Sequence, residues 1–381
     1  MHIAQVAPPW FPIPPDGYGG IERVVHDLTE GMVAEGWEVT LFAPPGSRTS
    51  ARLIPNALRP VGLDMGEPQK KRLLNEASKD AYQAALKLGV DLIHDHTDYI
   101  APADFPIPVV RTLHGPATLD AVRLARSMSR RGDHLVAISR RQMELFQERA
   151  RDLWGPGNHL NFIGVAPNPI DVASAPFYSS EEKEDYAVFI GRCHWEKGPD
   201  MAIRIARAAG LPLKMGMRVT TEERPYFEAV VKPLLDSPKY NAEFVGEVSG
   251  KAKDDLIGRA RVLIFSSPWD EPFGLVLTEA GARGTPVIAL ARGSAPEVIV
   301  DGVTGILCED EDEMVSAVPI AAAMNPAACR SHIMKIFDRP AIVRTYMELY
   351  ERAAASRIAP STTITQVVRA GTPNSVAAAA N

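Results

Sequence analysis

The feature that most limits what this chain can fold into is a repeated alternation. Short apolar runs are followed by segments whose apolar residues recur at helical spacing. His2–Ala7 is the first such run. Ile21, Val24, Val25, Leu28 and Met32 then mark a helix that Gly36 closes, and Val39–Ala43 is the next strand. The pattern returns at Leu92–Ile93, Val109–Leu113 and Leu135–Ile138. It resumes at Tyr186–Ile190, Leu211–Met215, Ala242–Val245, Val262–Ser266 and Val287–Ala289. Strands that alternate with helices predict α/β architecture with parallel sheets, and ligands then sit outside the carboxyl ends of the strands. A chain of 381 residues exceeds one ordinary core, so two domains are expected.

Bulk properties remove several function classes. A net charge of −6 disfavours nucleic acid as a partner, since phosphate binding calls for a basic excess. Cys193, Cys308 and Cys329 are too few and too scattered for a disulfide framework, and lack metal-ligand spacing. The first residues are strand-like rather than a basic and then apolar leader, and no run has the length of a membrane span. A cytoplasmic protein is expected, with peripheral contact at the inner face of a membrane left open.

Polar residues gather where the predicted strands end. Gly17, Gly19 and Gly20 follow the first strand, but they do not make the GxGxxG dinucleotide fingerprint. They serve either as a tight turn or as a close backbone approach to a ligand. His94, Asp95, His96 and Asp98 follow another strand; the expectation is a surface loop at a cleft edge rather than a metal cluster. His114 ends a third. Arg192 and Lys197 lie in a loop before Pro199, which suits the first turn of a helix. Two cations beside a helix N-terminus match the charge of a diphosphate; the alternative is two solvated side chains. Trp269–Gly284, WDEPFGLVLTEAGARG, places Glu271 in a loop and Glu279 about two turns along a helix that starts near Gly274. Ionised carboxylates accept only, so they suit the hydroxyls of a ribose or a hexose, although two acids on such a segment are also what a solvated face contains. The basic stretch Arg123, Arg126, Arg130, Arg131, Arg140 and Arg141 is either a solvated face or an attraction for an anionic acceptor or membrane.

Several of these stretches together resemble one family. Glu271-Pro272-Phe273-Gly274 with Thr278-Glu279-Ala280, then Gly284–Ile288 and Pro296–Ile299, is similar to the E-x7-E signature of family 4 glycosyltransferases, retaining enzymes of the GT-B fold. Gly191-Arg192 with Glu196-Lys197-Gly198 resembles the family's second signature, and Val165–Asp171 its crossover between domains. The resemblance implies two Rossmann-like doubly wound parallel-sheet domains facing across a cleft. They would cover 1–168 for the acceptor and 169–338 for the nucleotide sugar. A helix at 339–354 would cross back, and 355–381 would be a mobile tail.

The resemblance also implies roles. Glu271 orients sugar hydroxyls, Glu279 holds the ribose, and the N–H groups of Phe273, Gly274 and Leu275 hold sugar and phosphate. Arg192 and Lys197 stabilise the departing diphosphate. His114 meets a sugar hydroxyl rather than acting as a base. Glu247 and Val248 form the base-binding turn, and Gly19 and Gly20 face the cleft. The expected reaction is retaining transfer of a hexose from a UDP-glucose-like donor to a hydroxyl of a glycan, lipid or small molecule, a hexosyltransferase of the EC 2.4 class. No obligatory metal or other cofactor is implied. A GT-B-like epimerase or phosphorylase, and a binding protein without turnover, are the competing readings.

Overall fold

The computed structural model describes residues 1–17, 19–62, 65–102 and 104–356. The tail beyond 356 lies outside the described residues. The first sheet is built from β1 (His2–Val6), β2 (Glu38–Ala43), β3 (Arg52–Pro55), β4 (Leu92–Asp95), β5 (Val109–Leu113), β6 (His134–Ala137) and β7 (Phe162–Val165). Its order is β3-β2-β1-β4-β5-β6-β7, parallel throughout. The second contains β8 (Glu184–Arg192), β9 (Leu213–Arg218), β10 (Ala242–Gly246), β11 (Ala260–Phe265), β12 (Val287–Leu290) and β13 (Gly305–Cys308). It runs β10-β9-β8-β11-β12-β13, also parallel.

Each order reverses once, between β1 and β4 in the first sheet and between β8 and β11 in the second. These reversals open a crevice at the carboxyl ends of the strands, because the connections on either side lead away in opposite directions. The central strands are buried on both faces. Ile3, Ala4 and Val6 of β1, and Val262, Leu263 and Ile264 of β11, are almost wholly covered by helices. Among the described residues, no helix is long and apolar enough to cross a membrane. Cys193, Cys308 and Cys329 are buried free thiols.

The last helix, Arg339–Ser356, is two residues longer than expected and packs on the first domain. Val343, Tyr346, Leu349 and Tyr350 join the core made by Ile3, Leu28, Met32 and Leu92. The approach depends on glycine. A β-carbon on Gly31 would lie 2.4 Å from Val343, and one on Gly164 2.7 Å from Leu349. Arg339 adds an ion pair to Asp171 at 3.1 Å and one to Asp27 at 3.5 Å. The two domains also meet beside the crevice. The Glu297 carboxylate accepts from the N–H groups of Arg140 and Arg141 at 2.8 and 2.9 Å, so a second-domain acid caps a first-domain helix.

Candidate active site

The second domain forms one wall of the crevice. Beyond β8 the chain turns through Gly198 at φ +65°, where a β-carbon would fall 2.2 Å from the Ser266 carbonyl oxygen. Only glycine lets this loop lie against the end of β11. The Ser266 and Ser267 hydroxyls donate to the carbonyls of Gly198 and Glu196 at 2.7 and 2.6 Å. The loops from the two switch-point strands are thereby tied together. Lys197 Nζ donates to the Glu271 carboxylate, which also accepts from the Trp269 indole N–H at 3.0 Å. Arg192 is held at 3.2 Å by Glu223 and at 3.5 Å by Glu196.

The Glu271 loop is braced from behind. The Ser294 hydroxyl donates to the Phe273 carbonyl at 2.6 Å, and Ser294 N–H to the Glu271 carbonyl at 3.0 Å. Gly274, at φ +74°, then begins the helix Leu275–Ala282, whose opening N–H groups lack partners within the helix. Glu279 accepts from Lys253 Nζ at 2.6 Å. Burial alone would raise its carboxyl, but Lys253 and Arg283, with Arg23 reaching from the first domain, hold it below the ordinary range. Glu279 is therefore an anion at neutral pH.

The first domain forms the other wall. Gly19 caps the helix Gly20–Ala34, and a β-carbon on Gly20 would sit 3.3 Å from Leu275 across the crevice. His114 follows β5. Its Nε2 lies 2.9 Å from His96 Nδ1, and His96 Nε2 lies 2.9 Å from Gln5 Oε1. Burial lowers the His114 imidazole to about 4, and burial with neighbouring histidines holds His94 and His96 well below their usual value. This end of the site is neutral.

One cavity of about 340 Å³ is lined by all twelve residues to which the resemblance gives roles: Gly19, Gly20, His114, Arg192, Lys197, Glu247, Val248, Glu271, Phe273, Gly274, Leu275 and Glu279. It is also lined by Arg23, Asn168, Arg218 and Lys253, which sequence reasoning missed. Arg23 lies three residues after the Gly-Gly pair and could have been noticed there. Lys253 could not, since only the fold brings it to Glu279. Asn168 was read as part of the crossover alone; it is buried and its Oδ1 has no hydrogen-bond partner among the described residues.

One expectation is corrected. His94, Asp95 and His96 are not a surface loop but are buried. Asp95 accepts from Arg111 and Tyr82, each at 2.6 Å, and His94 engages Thr112 and Tyr350. The strand end lies beneath the last helix, which a local pattern does not reveal. The basic stretch is exposed at Arg123, Arg130, Arg131 and Arg140, as expected of a solvated face, and some of its members also have local partners. Arg126 lies 3.9 Å over the Trp154 ring, Arg131 donates to the Ala101 carbonyl, and Arg141 pairs with Asp270 at 3.4 Å.

Comparison with known proteins agrees with this architecture. The family model "Glycosyltransferase Family 4" matches residues 18–173, and "Glycosyl transferases group 1" matches 234–330. Glycogen synthase of Mycobacterium tuberculosis is 26% identical, over 92% of this chain and 94% of its own. Sucrose-phosphate synthase from Thermosynechococcus elongatus superposes with a TM-score of 0.73 at 20% identity, over 93% of this chain and all of its own. Anabaena HepE, solved in complex with UDP and glucose, gives 0.68 at 18%, over 92% and 99%. With both sheets, the crevice between them and two family models in agreement, the chain belongs to the family 4 glycosyltransferases, GT-B enzymes that act on nucleotide sugars.

Proposed function

We propose that this enzyme transfers glucose, with retention of configuration, from a UDP-glucose-like donor to a hydroxyl of an acceptor bound against the first domain. The observation that carries this reading is the convergence of cations, carboxylates and helix-start N–H groups on one cavity at both switch points. A structural neighbour at 18% identity, Anabaena HepE, holds UDP and glucose in its own structure, which supports the choice of donor.

Each group takes the partner its chemistry suits. Arg192 and Lys197 stabilise charge that develops on the diphosphate as the sugar leaves. Such fixed cations do the work of a divalent metal, so no metal is required. Glu279, already anionic and hydrogen-bonded to Lys253, accepts from the ribose hydroxyls. Glu247 and Val248 bracket the base, and backbone groups of Phe273, Gly274 and Leu275 hold sugar and phosphate. Glu271 orients sugar hydroxyls. Its engagement by Lys197 and the Trp269 indole suits that task better than nucleophilic attack. Transfer then proceeds by attack from the face the diphosphate leaves. The acceptor hydroxyl forms the new C–O bond as the bond to phosphate breaks, and its proton passes to the leaving phosphate.

A second cavity, of about 970 Å³, shares His114 and Ile21 with the first and extends past Trp10, Lys70, Asp98 and Arg123. Its charges are internally matched, with Lys70 at 2.9 Å from Glu67 and Arg123 at 3.1 Å from Asp120. That balance suits a polyhydroxylated acceptor more than a strongly charged one. A thermal-shift screen of nucleotide sugars, followed by mass spectrometry and anomeric assignment of products, tests the reading. UDP-glucose should give the largest shift and an α-linked product. A preference for another nucleotide, or inversion at the anomeric carbon, would overturn the corresponding part.

A further inference from the structure

Behind His114 runs a chain of buried hydrogen bonds that no catalytic step uses. It passes from His114 to His96, from His96 to Gln5, and on to Tyr350 of the last helix at 3.5 Å. Tyr350 lies 2.6 Å from His94 Nδ1, His94 Nε2 lies 2.7 Å from the Thr112 hydroxyl, and Thr112 lies 2.9 Å from the Tyr346 hydroxyl. Imidazoles, amides and hydroxyls can each donate and accept, so such a chain can run in either direction. One group breaks the symmetry. Gln5 Nε2 is 3.4 Å from the Met32 sulfur, and a thioether can only accept. The amide NH2 of Gln5 therefore faces Met32 and Tyr350, leaving its oxygen for His96.

From there each proton position follows. Gln5 Oε1 accepts, so His96 carries its proton on Nε2 and has a bare Nδ1. His96 Nδ1 accepts, so neutral His114 carries its proton on Nε2. We infer that Met32, Gln5 and His96 are positioning residues that lock His114 as its Nε2–H tautomer, so that His114 Nδ1 is a bare acceptor for a hydroxyl of the transferred sugar. His114 Nδ1 makes no hydrogen bond within the described residues, and the ring lines both cavities. Its lowered basicity makes it an orienting acceptor and a poor base. The consequence is selectivity. A sugar with a hydroxyl at this position satisfies Nδ1, whereas a deoxy sugar leaves a desolvated acceptor unpaired. The assignment to a sugar hydroxyl rests on the donor site proposed above; the tautomer does not.

The test is long-range ¹H–¹⁵N NMR of the full chain labelled in histidine, with His114→Gln to identify the signal. In the unmutated protein at neutral pH, His114 should be protonated at Nε2 and bare at Nδ1. A proton on Nδ1, or a cationic ring, would overturn the inference outright. His96→Ala should give a mixture of tautomers. His96→Asn, whose amide oxygen can stand in for Nδ1, should restore the single one. Calorimetry separates the sugar from the nucleotide. His96→Ala should weaken UDP-glucose by roughly three- to tenfold, the size of one neutral hydrogen bond, while leaving UDP within about twofold. Recovery in His96→Asn is expected. Unchanged tautomer and unchanged UDP-glucose binding in His96→Ala would sink the idea. Should that variant fail to fold, Met32→Leu, close in volume and without sulfur, should also produce mixed tautomers, and a single unchanged one would exclude the directing role. A protein that bound neither UDP nor UDP-glucose would reject the donor reading while leaving the spectral result standing.

Discussion

The two walls of the crevice occupy equivalent places in equivalent sheets, yet they are built from opposite materials. The second-domain wall is ionic. Lys197 faces Glu271, Lys253 faces Glu279 and Arg192 faces Glu223, and these pairs are partly open to solvent. The first-domain wall, Arg23 apart, is neutral around His114. His114, His96, Gln5 and Tyr350 are joined by hydrogen bonds, to which the inferred tautomers give one direction, and burial keeps the imidazoles uncharged. On the proposed reading, the difference follows from what each must meet. A diphosphate carries charge that only cations can match, and an ion pair can exchange its partner for a ligand at modest cost while some water remains. A sugar presents uncharged hydroxyls, which are told apart by the direction of each hydrogen bond.

The largest effect should come from breaking the ionic wall. Lys197→Ala should lower kcat/KM by about 100- to 1,000-fold, the usual scale for removing one transition-state donor, with thermal stability nearly unchanged. Steady-state kinetics beside a melting curve decide it; near-normal kcat/KM would count against the diphosphate role.

The next prediction probes burial on the neutral wall. Glu22, in the first turn after Gly19-Gly20, is raised by burial to about 7 from 4.5, against a smaller opposing backbone hydrogen bond. The folded state then binds more protons than the unfolded one between those values, so stability should fall as pH rises from about 4.5 to 7. The whole change is on the order of 3 kcal/mol, an upper bound. Glu22→Gln should remove its share of that slope in denaturant titrations, leaving the share of Asp27, whose carboxyl burial also raises to about 7, and a slope that is not reduced at all would place its origin elsewhere.

A smaller effect is expected where the walls meet. Asn168→Ala removes a buried acceptor with no partner among the described residues and should raise the donor KM by roughly three- to tenfold. An unchanged KM would return Asn168 to a role in the crossover alone. The smallest effect sharpens the ionic side. If Arg192 and Lys197 replace a metal, chelator should leave the rate within about twofold, a change worth less than 0.5 kcal/mol. Loss of activity restored by Mg²⁺ would reject that proposal.

Much of the scaffold was legible because strand and helix periodicities are local. β1, β5, β6, β11 and β12 were placed from apolar runs and the loops that end them. The omissions have physical causes. β3 is a half-buried edge strand ending in Pro55, and β7 is a partly buried edge strand, so neither has the apolar run of a central strand. The helix Glu67–Leu88 is polar over most of its surface and buries only Ala77, Ser78, Ala81, Tyr82 and Ala85, too narrow a stripe to stand out.

Residue types at strand ends were thus decided by the sequence itself, because a glycine turn, a helix start or a carboxylate has chemistry before it has neighbours. Which of those groups face each other was decided only by the tertiary structure. His96 reaches His114 because β4 lies beside β5, and Tyr350 reaches His94 because the last helix returns across the first sheet. Lys253 finds Glu279 in the same way. Charge and hydrogen-bonding capacity belong to the residue, whereas protonation and direction belong to the pair, and strand order makes the pair.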